Sequence, residues 1–223
     1  MYSEYQPLMN SSNDTIFAHE ALMRTTPRMN PLIVIEKARN NGVLFELDTY
    51  CIKNAVMQYP SFYLKSHFLF INILPTTIVH HDFENFINKL LLLFPTIRGQ
   101  IVFEINEEAI QKNIWEQQIF MSRLLFLKSN GFQIAFDDLP VTKGSFKMIE
   151  IISPDFVKLD HTKSKGLSAS TEKQALVSLF LGFTNKEIKL VLEGIETKND
   201  LLAAKQLGVP ILQGYYISRP KRL

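Results

Sequence analysis

Short apolar runs alternate with longer amphipathic stretches along the whole chain. The runs Ile16–Ala18, Phe68–Ile71, Ile101–Phe103, Ile134–Phe136, Phe156–Val157, Leu190–Leu192 and Ile211–Leu212 are brief and apolar, as parallel strands covered on both faces tend to be. Between them the spacing predicts helices over Asp48–Met57, Phe83–Phe94, Glu107–Leu127, Ser168–Leu181 and Lys198–Leu207. Asn106 and Thr197 stand where N-terminal caps belong. Gly131, Gly182 and Gly208 stand where left-handed C-terminal caps belong. Strand–helix alternation repeated through 223 residues leaves a doubly wound open sheet or a (β/α)8 barrel. No GxGxxG fingerprint and no GxxxxGK phosphate loop occurs, which counts against the nucleotide-binding open sheet.

The ends of the apolar runs are polar. Their C-terminal edges carry Glu20, Asn72, Glu104, Asp137 with Asp138, Lys158 followed by Asp160, Glu193 and Gln213. Burial and mutual repulsion both oppose ionised carboxylates in such places unless something compensates them. In a barrel the carboxyl ends of the strands meet on one face, so these side chains would ring a single cavity. That is a hard-oxygen site, suited to Mg²⁺ or Mn²⁺ and not to a soft metal. A lone acidic residue after a strand is usually a helix cap or a loop residue. Recurrence at successive strand ends, with Glu in places where caps prefer Ser, Thr, Asp or Asn, points instead to a site.

Lys+Arg total 24 and Asp+Glu 22, a net charge of +2, too balanced to argue for a nucleic-acid polymer as partner. The single cysteine, Cys51, excludes an internal disulfide framework and a Cys-rich zinc site. The opening MYSEYQPLMN has neither a basic segment nor an apolar core of the secretory kind. Apolar stretches such as Lys89–Pro95 are far shorter than the ~20 residues of a membrane span, so no membrane association and a cytoplasmic location are expected. The histidines, including the adjacent His80–His81, read as structural or surface residues, and Trp115 reads as core.

Seven short motifs, in order, carry a resemblance. Glu20–Ala21–Leu22–Met23–Arg24 reads E-A-L-x-R, Phe70–Ile71–Asn72 ends in a strand-end Asn, and Glu104–Ile105–Asn106–Glu107 is close to E-L-T-E. Asp137–Asp138 opens like D-D-F-G-T-G, Lys158–Leu159–Asp160 like K-I-D, Glu193–Thr197 like E-G-V-E-T and Gln213–Tyr215 as Q-G-Y. The chain resembles the EAL domain, the cyclic di-GMP phosphodiesterase family, over nearly its whole length. The resemblance implies an α/β fold, the (β/α)8 TIM-type barrel in a variant with one antiparallel strand, as a single domain over residues 1–223.

The same resemblance implies a function: metal-dependent hydrolysis of cyclic di-GMP to linear pGpG by a homodimer using two Mg²⁺ or Mn²⁺ ions. Glu20, Asn72, Glu104 and Asp137 would hold one cation, and Asp137, Asp138 and Glu193 the second. Lys158 would orient the attacking water or steady developing charge, and Glu193 would serve as base or ligand. Arg24 suits a phosphate, Leu22, Gln6 and Gln213 the guanine and sugar parts, with Glu20, Asn72 and Glu196 also near substrate. Glu107 and Asp160 would be supporting carboxylates. Simpler roles exist for two of these: Lys158 as ion-pair partner of Asp160, and Glu196 as a charge at a helix N-terminus.

The sequence departs from the family pattern in the loop Leu139–Gly144. Pro140 stands where a Gly is expected, fixing φ and removing an N–H, and Thr142 replaces a second Gly. The segment Thr25–Asn41 is shorter than usual, and the family's final covering helix is not expected after Arg222–Leu223. The alternative function is therefore a degenerate domain that binds cyclic di-GMP, or a protein partner, without turnover.

Overall fold

A computed structural model describes residues 1–106, 114–138, 142–184 and 187–223. Strand β1 (Tyr2–Asn10) turns back on β2 (Ile16–Arg24), which is followed by α1 (Pro31–Asn40), α2 (Leu44–Gln58) and β3 (Phe68–Asn72). The chain continues through the short α3 (Pro75–Ile78), α4 (Phe83–Leu93), β4 (Ile101–Ile105), α5 (Gln118–Ser129), β5 (Gln133–Phe136), α6 (Lys143–Ile152) and β6 (Phe156–Leu159). A single-turn α7 (His161–Ser164), α8 (Thr171–Phe183), β7 (Lys189–Leu192), α9 (Lys198–Gln206) and β8 (Ile211–Leu212) complete it. The strands close into one barrel in chain order. β1 is antiparallel to both β2 and β8, while the neighbouring strands from β2 to β8 are parallel. The expected α/β barrel with one reversed strand is the fold observed.

The side-chain alternation of strands sorts each one into an inner and an outer face. Leu8, Ala18, Phe70, Val102, Ala135, Phe156, Val191 and Ile211 form a separate apolar cluster, joined by Phe17 and Phe68. These fill the barrel bore. The opposite faces, with Leu69, Phe103, Phe136 and Leu190, pack against Ile52, Phe83, Ile87, Phe120, Val177 and Phe180 of the surrounding helices. Each such fully buried side chain contributes about 2 kcal/mol, so two apolar layers hold the strand ends in place.

Seven strands follow the apolar runs, but β1 does not announce itself. Its polar positions Ser3, Glu4 and Gln6 interrupt the apolar ones, and only closure of the barrel buries both of its faces. Besides the one-turn α3 and α7, two longer helices were also absent from the spacing. In α1, Asn30 accepts a hydrogen bond from Leu32 N and Pro31 opens the helix. In α6, the Thr142 side chain accepts from Ser145 N. The helix expected over Glu107–Leu127 is shorter: residues 107–113 lie outside the described ones, and Gln117 is extended before α5 begins. That break lets Ile114 and Trp115 turn inward as buried side chains. Gly182 lies inside α8, which ends at Phe183, so it is not a C-terminal cap. Gly131 (φ +84°) and Gly208 (φ +82°) do take the left-handed conformation that glycine permits.

Candidate active site at the barrel mouth

One rule places the polar ring. Two residues beyond each bore-filling side chain, and so on the same face, stand Glu20, Asn72, Glu104, Asp137, Lys158, Glu193 and Gln213; on the reversed β1 the equivalent is Gln6, two before Leu8. Asp137, Glu193 and Gln213 lie just past their strands, but ladder bonds hold them extended. Asp137 N donates to Ile105 O (2.9 Å), Glu193 N to Leu159 O (2.9 Å) and Gln213 N to Leu192 O (3.0 Å).

Lys158 is the hub. Its Nζ lies 2.5 Å from Glu104 Oε1, 2.5 Å from Glu193 Oε1, 3.4 Å from Asp137 Oδ1 and 3.7 Å from Glu20 Oε2, and its side chain is fully buried. Its partnership is with these four carboxylates and not with Asp160. Around them Asn72 Nδ2 donates to Glu104 Oε2 (3.1 Å) and Glu20 Oε1 (3.4 Å). Gln213 Nε2 donates to Glu20 Oε2 (2.7 Å) and Gln6 Oε1 (3.3 Å), and Gln6 Nε2 to Ser218 O (3.1 Å).

The charges do not balance. Burial first, then Glu20 and Asp137, push the Glu104 carboxyl well above the usual range despite Lys158. Burial and the neighbouring acids raise Asp137 too, and Glu193 is pushed up to about 8. Burial alone would discharge Lys158, but Asp137, Glu104, Glu193 and Glu20 together outweigh it and hold the ammonium charged. One ammonium cannot balance four clustered carboxylates, so without further cations part of the set holds its protons. Asp137, Asp138 and Glu193 can each offer an oxygen within 4.8 Å of the others, the set expected to hold a second cation. Asp138 is held at φ +53°, a strained conformation for a non-glycine residue and one often found at functional sites. A dense set of hard-oxygen donors with excess negative charge fits divalent cations of the Mg²⁺ class. Asn72 belongs to the first set, and turning its amide over would present Oδ1 in place of Nδ2.

A cavity of about 410 Å³ opens above the ring, lined by Gln6, Glu20, Leu22, Glu193, Glu196 and Gln213. A second, of about 280 Å³, lies on the other side of β2 and is lined by Leu22, Arg24, Asn72 and the apolar Leu32, Ile35 and Leu74. Leu22 borders both. Arg24 is therefore apart from Glu193 and Glu196, in the second cavity, and is paired with Glu4. Asp160 caps α7: Oδ2 accepts from Thr162 N (3.2 Å) and Oδ1 from Thr162 Oγ1 (2.8 Å), and despite partial burial these bonds hold it below the ordinary aspartate range. Glu107 lies outside the described residues, as does the loop 139–141 with Pro140.

Two cavity residues are not among the expected site residues: His161, read from sequence as structural or surface, and Tyr215 of the Q-G-Y motif both line the cavity above the ring. The signal for His161 was its place beside the Lys158–Leu159–Asp160 motif. Two glycines fix the cavity wall. A Cβ on Gly214 would sit 2.2 Å from Ile195 N and O, and one on Gly194 (φ +68°) 2.3 Å from His161 Cβ.

Comparison with known proteins then identifies the chain, since a family model described as the EAL domain matches residues 1–220. The chain belongs to the EAL domain family. This EAL domain is 26% identical over 225 residues to the cyclic di-GMP phosphodiesterase PdeF of Escherichia coli K12, covering 98% of this chain and 30% of that protein. It is 30% identical over 151 residues to the probable cyclic di-GMP phosphodiesterase PdeN of the same organism, covering 67% and 28%. The chain thus spans less than a third of either relative. Among solved structures, Klebsiella pneumoniae BlrP1 in a calcium and cyclic di-GMP complex superposes with a TM-score of 0.87 at 24% identity, over 99% of this EAL domain and 55% of that chain. No helix among the described residues is long and apolar enough to cross a membrane.

Proposed function

We propose that this domain hydrolyses cyclic di-GMP to linear pGpG with two divalent cations, Mg²⁺ or Mn²⁺. The observation that carries this reading is the single buried ammonium of Lys158 surrounded by Glu20, Glu104, Asp137 and Glu193. Such a surplus of buried anions is costly unless cations offset it. Relatives named as cyclic di-GMP phosphodiesterases support the substrate class.

Glu20, Asn72, Glu104 and Asp137 would hold one cation, and Asp137, Asp138 and Glu193 the other. Bound there, the cations would polarise the phosphoryl oxygens and make water acidic enough to be deprotonated near neutral pH. Lys158, buried and paired with four carboxylates, would present a positive charge to the negative charge that develops on the phosphoryl oxygens. Glu193, at the edge of the cavity, accepts the proton of the attacking water. Gln6, Leu22, Glu196 and Gln213 line the space for base and sugar, and Arg24 meets a phosphate oxygen with its planar fork. Purified protein incubated with cyclic di-GMP and Mn²⁺ should release pGpG, read by chromatography. No product over a range of Mg²⁺ and Mn²⁺ concentrations would rule out turnover.

A second reading is a receptor that binds cyclic di-GMP without cleaving it. It is favoured by Pro140 and Thr142 in the loop that carries Asp138. Binding in Ca²⁺ with no hydrolysis in Mg²⁺ or Mn²⁺ would select it.

A further inference from the structure

We propose that Glu4 is a positioning residue for phosphate recognition, holding the Arg24 guanidinium in place while Arg28 keeps the trio positive. The inference rests on the reading above that Arg24 takes a phosphate of cyclic di-GMP.

Register sets up the pairing. β1 and β2 run antiparallel with Gln6 opposite Glu20, Glu4 opposite Leu22 and Tyr2 opposite Arg24. Alternation puts Glu4 on the face of Gln6, and Arg24 on the face of Leu22 and Glu20. Both side chains therefore stand above the polar ring, one on each strand of the hairpin. Glu4 Oε2 lies 2.7 Å from Arg24 Nε, and each side chain is only 16% exposed. Arg24 Nη1 donates to its neighbour's carbonyl, Met23 O, at 3.0 Å. The guanidinium is thereby tied to protein on two of its three nitrogens, on either side of Nη2. Because the group is planar, those two bonds also fix the direction of Nη2, the nitrogen left to meet a phosphate oxygen.

A carboxylate beside a phosphate-binding arginine has an obvious drawback, since it subtracts positive potential. Arg28 answers it. Its Nη2 lies 3.6 Å from the same Glu4 oxygen, and its side chain is 70% exposed. Two guanidiniums share one carboxylate, so the trio keeps a charge of +1. What Glu4 contributes is restraint: an unanchored arginine at a strand end samples many rotamers and loses that freedom on binding, whereas a pre-oriented one has little left to lose.

The test is calorimetric titration of cyclic di-GMP in Ca²⁺ into wild type, Glu4→Gln, Glu4→Asp, Arg24→Lys and the Glu4→Gln/Arg24→Lys double variant, with melting midpoints for each. kcat and KM in Mn²⁺ complete it wherever turnover occurs. Glu4→Gln should raise Kd, and KM with it, about 5-fold with kcat little changed, and Glu4→Asp should recover part of the loss. Arg24→Lys keeps the charge but lacks the fork, so Glu4→Gln should add nothing on top of it. Wild-type affinity in Glu4→Gln, or an equal loss from it in the Arg24→Lys background, overturns the role of Glu4 while leaving Arg24 as phosphate ligand. Unchanged binding in Arg24→Lys, or no binding by wild type, overturns the parent reading and this one with it.

Discussion

Lys158 Nζ and Glu104 Oε1 stand 2.5 Å apart at the centre of the barrel mouth, and neither side chain is appreciably exposed. They come from strands that are not neighbours, β4 and β6, so the contact crosses the bore. Glu20, Asp137 and Glu193 are arranged around that pair.

Replacing Lys158 by Met should remove the one cation that the four carboxylates share. Without divalent ions the variant should lose about 3 kcal/mol of stability, the usual cost of stranding buried charge. Mn²⁺ should restore more stability to the variant than it adds to wild type, while turnover stays lost. Urea denaturation with and without Mn²⁺ measures this. A variant as stable as wild type without metal would mean that Lys158 does not hold these anions together.

Asp137→Asn should separate stability from function. Asp137 is 3.4 Å from Lys158 and adds to the repulsion that lifts Glu104 and Glu193. Neutralising it should leave the metal-free fold unchanged or stabilise it by about 1 kcal/mol. Metal-dependent production of pGpG should fall by at least about 100-fold. Paired melting and product assays decide the matter, and a fully active variant would remove Asp137 from the ligand set.

Gly214→Ala should be disruptive despite its single added carbon. The new Cβ would meet backbone, Ile195 N and O at 2.2 Å, and backbone cannot step aside as a side-chain tip can. A loss of about 2–3 kcal/mol is expected, together with displacement of Gln213 from Glu20. Denaturation midpoints show the first, and weaker cyclic di-GMP binding the second. Alanine at Gly42, around which there is open space, provides a contrast in which only the positive φ is strained.

Asp200 should give the fold a pH-dependent stitch. It lies in α9 at 3% exposure, where it accepts from Thr197 Oγ1 (2.8 Å), Ser168 N and Oγ (2.9 Å each) and Gly166 N (3.3 Å). Burial opposes its ionisation, but these bonds win and hold its carboxyl below the ordinary aspartate range. The folded form thus gives up its proton more readily than the unfolded chain. Its contribution is complete above the ordinary aspartate range and fades as pH falls through the lowered folded value. Asp200→Asn should cost about 2 kcal/mol near neutral pH, and the gap to wild type should narrow on acidification. A gap independent of pH would mean that the charge is not what matters.

Short continuous apolar runs were enough to find β2 to β8 and to put Glu20, Asn72, Glu104, Asp137, Lys158, Glu193 and Gln213 at their ends. A strand buried on both faces leaves a local apolar run, and the next inward position after it is the only place where polar chemistry can begin. β1 was not legible as a strand, because its partners lie both ahead of it, in β2, and near the end of the chain, in β8. Nor was the Glu4–Arg24 pair, which depends on hairpin register, or the place of His161 in α7 and of Tyr215 after β8 in the cavity wall.

The sequence alone thus determined the order of β2 to β8 and of the helices α2, α4, α5, α8 and α9 between them, and which residues would carry charge at the strand ends, since all follow from local pattern. Which charges touch was decided by the tertiary structure. Register slips by two residues at four junctions: Glu20 lies opposite Phe70, Glu104 opposite Ala135, Lys158 opposite Val191 and, where β8 meets β1, Ile211 opposite Asn10 and not Leu8. Those slips tilt the strands and set the height of every side chain in the bore. They bring Lys158 against Glu20, Glu104, Asp137 and Glu193 at once, a meeting across the barrel that no local pattern encodes.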